Sequence, residues 1–123
     1  MTMNYTTFEG SRKLVTLGLY ASTADMCYES MGKGLFRHDP IVIDENYLII
    51  DDVPCWSLGA LIDIIENTFA NVCLFVSNKE YSCSFNIQES DTTITESFDG
   101  ETKMAAVLNC IEWLLENNYI KKE

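Results

Sequence analysis

Residues 57–119 of this chain follow a pattern that few folds satisfy: an apolar stripe of helical period, three short segments of β-forming residues, and a second helical stripe. Ser57 suits the N-cap of the first helix, because its hydroxyl can accept from the free backbone N–H groups of the first turn. The apolar residues that follow recur at spacings of three and four, which predicts a helix near residues 58–69 with one buried face: Leu58, Leu61, Ile62, Ile65 and Phe69.

Residues 72–98 predict a three-stranded antiparallel meander. The first segment is rich in β-forming residues, and residues 81–87 alternate strictly between apolar and polar, which is typical of a half-buried strand. Residues 92–98 supply the third strand, and Asp99 and Gly100 are expected to turn the chain into the last helix.

The register of the first two strands stays open. If Ser77 pairs with Tyr81, Cys73 and Phe75 share a face with Cys83. A shift of one residue reverses that assignment.

The second helical stripe predicts a helix near residues 102–117, with Leu108 at the centre of its buried face. The first half is less regular. We expect an N-terminal helix over residues 11–19, a second short helical piece after Ser22, and a loop at residues 31–40.

Two apolar runs between residues 41 and 50 flank Asp44, Glu45 and Asn46, and this arrangement predicts a β-hairpin. With 123 residues and 47% apolar content, the chain is expected to form a single α+β domain, residues 1–123. Its antiparallel sheet would combine the hairpin with the meander and be covered by the two helices near residues 58–69 and 102–117.

The chain has no apolar run close to the roughly 18 residues that a membrane-spanning helix needs. Its first residues also lack the basic and apolar regions of a signal peptide, so we expect a cytoplasmic protein without membrane contact. The five cysteines are odd in number and have no CxxC spacing, which favours small buried thiols in a reducing compartment over disulfides or a zinc site.

Charge is the strongest global signal, with 19 acidic against 8 basic residues and a net charge of −11. Such a field repels nucleic acid, whose binding depends on Lys and Arg, so direct nucleic-acid binding is not expected. The acids are dispersed along the chain. They either keep a monomeric surface soluble or form a face that occupies a basic site on another protein.

The candidate contact residues for such a partner are two acidic pairs and two tryptophans. The acidic pairs flank the second strand of the predicted hairpin: Asp44 and Glu45, and Asp51 and Asp52. Trp56 precedes the N-cap, where it can pack on Ile62 as a hydrophobic staple or remain exposed as an anchor. Trp113 lies beside the last helical stripe, where aromatic residues either close a core or anchor an interface.

Catalytic patterns are weaker. His38 is the only histidine, and no serine or glycine lies in a nucleophile elbow, phosphate-binding loop or dinucleotide fingerprint. We therefore predict no metal, no cofactor and no catalytic residues. The competing hypothesis is a small enzyme or ligand-binding protein that uses the 31–40 loop, with His38 and nearby acids.

Three parts of the chain resemble small proteins encoded by phages and integrated mobile elements of gut bacteria, a group with no known activity. These parts are residues 17–28, without 20–22, and residues 52–61 and 110–121. The resemblance implies an accessory protein of a kind that binds and modulates host machinery. The expected function is thus that of a non-enzymatic, acidic interaction protein with a host or element-encoded protein partner.

Overall fold

The computed structural model describes residues 4–43, 51–68, 72–77, 80–89 and 92–123. These residues form α-helices and antiparallel sheets, which confirms the predicted α+β class. The helices are α1 (Phe8–Leu17), α2 (Leu58–Thr68) and α3 (Lys103–Glu116), with a 3-10 turn at Ala21–Thr23. The strands are β1 (Met26–Tyr28), β2 (Ser30–Gly32), β3 (Leu35–Phe36), β4 (Ile41–Val42), β5 (Val53–Cys55), β6 (Val72–Ser77), β7 (Glu80–Glu89) and β8 (Thr92–Gly100).

The meander of β6, β7 and β8 is antiparallel, as predicted. Its register is the shifted alternative: Ser77 pairs with Glu80, not with Tyr81, and Leu74 pairs with Cys83. Strand β8 extends to Gly100, where the sequence predicted a turn. A side chain is excluded at that position, because a Cβ on Gly100 would lie 2.5 Å from the backbone nitrogen of Ala106.

Helix α3 is the centre of the core. It packs on β7 and β8 and also contacts α1 and α2. Its fully buried side chains are Ala106, Val107, Cys110, Ile111, Leu114 and Leu115. Leu108 is only half-buried against this cluster, so its expected place at the centre of the buried face was wrong. Thr102 caps the helix by accepting from the N–H of Ala105 at 3.0 Å.

Helix α1 begins at Phe8 because Thr7 is its N-cap, with the Thr7 hydroxyl accepting from the N–H of Gly10 at 3.0 Å. It ends at Gly18, which adopts the left-handed conformation with φ 99° that glycine tolerates best. The predicted bounds of 11–19 were therefore shifted, and the helix starts earlier.

The short helix expected after Ser22 does not form: a 3-10 turn occupies Ala21–Thr23, and the chain becomes extended at Met26. Asp25, which the first turn of such a helix would contain, lies outside any helix. Its carboxylate accepts from the backbone N–H of Ser57 at 2.9 Å and from the Ser57 hydroxyl at 2.5 Å. Ser57 in turn accepts from the N–H of Ala60 at 3.1 Å, which confirms its capping role at α2.

Residues 26–42 form one bent hairpin, and we use this name for them below. Strands β1 and β2 run out, and β3 and β4 return beside them, with Cys27 opposite Ile41 and Ser30 opposite Phe36. The backbone N–H of Arg37 bonds to the carbonyl of Glu29. Between the Cys27–Ile41 pair and the Glu29–Arg37 hydrogen bond, the outgoing strand has one residue, Tyr28, whereas the returning strand has three, residues 38–40. This bulge bends the ladder.

The bent hairpin corrects two predictions. Residues 31–40 contain β2 and β3 and are not simply a loop. Strand β4 pairs with β1, whose other edge pairs with β5, so the described part of the predicted 41–50 hairpin belongs to a different sheet from the meander. Residues 44–50 lie outside the described residues. The predicted single sheet was wrong because an apolar run specifies a strand but not the strand with which it pairs.

None of the helices in the described part of the chain has the length and apolar character needed to cross a membrane.

Candidate interaction surface

The four acidic residues of the sequence prediction divide into three cases. Asp44 and Glu45 lie outside the described residues. Asp51 is exposed. Asp52 is half-buried. Its carboxylate accepts from the backbone N–H of Ser30 at 2.8 Å, and this donor lies past Tyr28, the last residue of β1 that pairs with β5. Asp51 is therefore the one of these acids that the structure shows fully on the surface, whereas Asp52 also stabilises the fold.

Trp56 is fully buried, which excludes the exposed anchor and leaves the other of its two alternatives, a ring packed inside the protein. Its indole Nε1–H donates to the hydroxyl of Thr23 at 2.9 Å, and its backbone N–H donates to the hydroxyl of Thr6 at 3.1 Å. Because the indole has an internal acceptor, the whole ring can enter the core without an unpaired polar group.

Trp113 closes one edge of the core. It is half-buried, stacks on Tyr119 with ring centroids 5.4 Å apart, and lies 5.6 Å from Phe98 and 6.0 Å from Phe85. Tyr119 is 36% exposed. The pair thus presents a small aromatic edge at the end of α3, but the ring of Trp113 is mainly engaged with neighbours in its own chain.

His38 lies on the bulge of the bent hairpin and is 99% exposed at its side chain. Its Nδ1 is 3.1 Å from a carboxylate oxygen of Asp39. Neither of the depressions that His38 borders is lined by Asp51 or Asp52. These two depressions therefore do not unite His38 with the acidic pair at positions 51 and 52.

A surface groove of about 410 Å³ runs between the start of α1 and the bent hairpin. We call it the aromatic groove, because four of the residues that line it are aromatic. These are Tyr5, Phe8, Tyr28 and Phe36. Gly34, Leu35, Arg37, His38 and Asp39 form its hairpin side, and Thr7 completes the α1 side.

The rings of the aromatic groove contact one another. Phe8 meets Tyr28 edge to face, with centroids 5.4 Å apart, and lies tilted against Phe36 at 5.0 Å. The Arg12 guanidinium lies 5.9 Å from the Phe8 centroid. These are the separations at which aromatic and cation–π pairs attract, so the packing fixes the walls of the groove.

Two polar side chains of the groove have partners inside the protein. The Tyr28 hydroxyl donates to the carbonyl of Thr6 at 2.8 Å, and Arg37 pairs with Glu29 at 3.4 Å. Burial raises the pKa of Tyr28 above its ordinary value, so its hydroxyl stays protonated. What the groove offers to an incoming group is therefore chiefly apolar ring surface.

The bent hairpin also carries exposed apolar side chains. Among the described residues, six large hydrophobic side chains are exposed, and four of them lie on this hairpin: Met31 at 59%, Leu35 at 60%, Ile41 at 37% and Val42 at 75%. No side chain from residue 29 to residue 43 is buried. Leu35 lines the aromatic groove, and Met31 and Ile41 line a neighbouring shallow depression.

Sequence reasoning missed the aromatic groove. Its aromatic residues were visible, but Tyr5 and Phe8 are separated by about twenty residues or more from Tyr28 and Phe36. The local signal that could have indicated the groove was the set of aromatic and apolar residues in the 26–36 segment, which also contains Gly32 and Gly34. That pattern gains meaning only when β2 and β3 are known to pair.

The cysteines in the described side chains are free thiols: Cys27, Cys55, Cys83 and Cys110 are all buried. Burial, with the nearby Asp52 carboxylate, raises the pKa of Cys27 to about 11. Burial also raises the pKa of Cys55. A hydrogen bond to Cys83, together with burial, raises the pKa of Cys110. No group of three potential metal ligands occurs among the described residues.

Comparison with known protein families, curated proteins and solved structures finds no match for this chain. The geometry and charge of the chain itself are therefore the basis for assigning a function.

Proposed function

We propose that this protein is a non-enzymatic interaction protein that binds a basic protein partner through the bent hairpin. The observation that carries the proposal is the concentration of exposed apolar side chains there: Met31, Leu35, Ile41 and Val42. Large apolar side chains exposed on one segment cost solubility, and on soluble proteins they commonly mark a binding site. The adjoining aromatic groove enlarges this surface.

The net charge of −11 supports a partner of positive charge. Opposite fields steer two proteins together and raise the association rate, and salt screens this effect over about 8–10 Å. The resemblance to proteins of phages and mobile elements supports a partner encoded by the host or by the element.

The test is capture of partner proteins from a bacterial lysate with three immobilised forms of the protein. The double variant Met31→Ser, Val42→Ser removes exposed apolar area without touching the core. Val15→Ser is the matched control, because Val15 is 41% exposed on α1 and lies outside the hairpin. We expect specific partners to bind the parent and the control but not the double variant. Equal capture by all three forms would refute the hairpin as the contact surface.

A second measurement addresses the electrostatic part of the proposal. Capture of the same partner should weaken as the ionic strength rises from about 0.01 M to 0.15 M, where the screening length falls from about 30 Å to about 8 Å. Asp51→Lys is the suitable charge reversal, because Asp51 is exposed whereas Asp52 accepts a backbone hydrogen bond. Capture that is insensitive to both changes would exclude electrostatic steering.

A small ligand-binding protein is the second candidate. The 31–40 segment contributes His38, Arg37 and Asp39 to a groove of about 410 Å³, within the range of small-molecule sites. Purified protein screened by NMR against small aromatic acids and amines would show saturable binding that His38→Ala weakens. Turnover of any such compound would exclude the non-enzymatic proposal.

A further inference from the structure

We infer that the aromatic groove is the anchor pocket of the interface, and that it receives a bulky apolar side chain, aromatic in preference to aliphatic, from a positively charged segment of the partner. This inference rests on the proposed function. It adds the chemistry of the group that binds and the place where it binds.

The most buried polar group of the groove, the Tyr28 hydroxyl, already has a hydrogen-bond partner. The Tyr28 hydroxyl donates to a backbone carbonyl, the Thr7 hydroxyl accepts the α1 capping bond, and His38 and Asp39 bond to each other. A polar side chain that reached Tyr28 would lose its water and find that hydroxyl already donating, whereas the Arg37 and His38 side chains are exposed to water. Such desolvation without compensation weakens binding.

The ring geometry favours an aromatic anchor. Phe8, Tyr28 and Phe36 are arranged edge to face and tilted, and a further ring can join them with the same centroid separations of about 4.5–7 Å. Leu35 is 60% exposed where it borders the groove. It would be covered when the groove is filled. Aromatic side chains in partly closed pockets are the commonest anchors of protein interfaces.

The flanks of the anchor are set by the net charge of the chain. Residues 1–43, which include all residues of the groove, hold four acidic and four basic side chains. Residues 44–123 hold fifteen acidic and four basic, so the whole net charge of −11 comes from that part. The net charge of the chain as a whole therefore attracts the positive charges that flank the anchor.

Three pentapeptides test the inference by NMR titration of the ¹⁵N-labelled protein at physiological ionic strength. The first has tryptophan between two pairs of lysine, the second has alanine in its place, and the third has tryptophan between two pairs of glutamate. We expect the first to bind about tenfold or more tightly than either of the others, as the loss of one anchor typically produces. The shifts should centre on the backbone amides of Gly34, Leu35 and Arg37.

Variants locate the binding site. Leu35→Ser should weaken binding of the tryptophan–lysine peptide, and because Leu35 is largely exposed the variant should fold. Val15→Ser, the same kind of loss elsewhere, should leave binding unchanged. Equal affinity for the alanine peptide would overturn the anchor, equal affinity for the glutamate peptide would overturn the basic flank, and shifts centred outside the groove would overturn the location.

The inference and the proposed function fail in different ways. In one outcome, the double variant at Met31 and Val42 loses partner capture while the peptides fail to bind the groove. That pair of results would support the interaction function and overturn the anchor pocket. Capture that is independent of the hairpin would overturn the proposed function, whatever the peptides do.

Discussion

Replacing Gly100 with alanine should destabilise the protein, because the end of β8 lies directly against the first turn of α3. A Cβ at this position would be 2.5 Å from the backbone nitrogen of Ala106 and 2.8 Å from both the carbonyl carbon and the Cβ of Ala105. Two of these atoms belong to the helix backbone and cannot rotate away. The strand and the helix must separate instead.

The size of the effect follows from this geometry. Restoring an ordinary contact of 3.4 Å requires a displacement of about 0.9 Å. Overpacking of this kind costs about 1–3 kcal/mol. The displaced turn also contains the capping bond from Ala105 to Thr102, and its loss would add about 1 kcal/mol. We therefore expect a loss of about 2–4 kcal/mol in the free energy of unfolding.

Thermal and urea denaturation followed by circular dichroism will measure this loss. For 123 residues, each 1 kcal/mol lowers Tm by about 4 °C, so Gly100→Ala should lower Tm by about 8–16 °C. Gly59→Ala is the matched control. Its Cβ would meet nothing closer than the Ser57 hydroxyl at 3.8 Å, so the same substitution should stabilise α2 by about 0.4–1 kcal/mol. A Gly100→Ala variant as stable as the parent would refute the close approach of β8 and α3.

Three further predictions concern the buried side chains. Folding raises the pKa of the Cys27 thiol from 9.0 to about 11, because the folded state favours the protonated thiol. The contribution of Cys27 to the free energy of unfolding is therefore complete below pH 9 and is lost as the pH rises to about 11. Urea melts across this range should show the decline, and Cys27→Ala should reduce it. Thiol titration under denaturing, non-reducing conditions should find all five cysteines free, and three or fewer would contradict the assignment. In Trp113→Phe, the remaining emission of Trp56 should be blue-shifted and resistant to acrylamide, because Trp56 is fully buried; efficient quenching would contradict its burial.

The helices α2 and α3 and the strands of the meander could be predicted because their signals are local. A stripe of helical period or a strict alternation determines which element forms within ten to fifteen residues. The register of β6 on β7 could not be predicted in the same way. Both alternatives place apolar residues opposite one another, and the choice depends on packing against elements far along the chain.

The candidate surface was harder to predict for a related reason. Asp25 was expected in the first turn of a helix after Ser22, but its carboxylate bonds to Ser57, 32 residues away. Trp56 was a possible anchor until the structure showed that Thr23 supplies an acceptor for its indole. In each case the deciding partner is distant in sequence, and a single sequence without a known topology does not identify it.

The absence of any buried side chain from residue 29 to residue 43 has a thermodynamic consequence for the bent hairpin. Segments that contribute little to the core open locally at a lower free energy than the molecule as a whole. The backbone amides of this segment should therefore exchange with solvent by local opening, whereas those of α3 should exchange only on global unfolding. A partner that covers the hairpin would slow exchange there first, and part of its binding energy would be spent on holding the segment in one conformation.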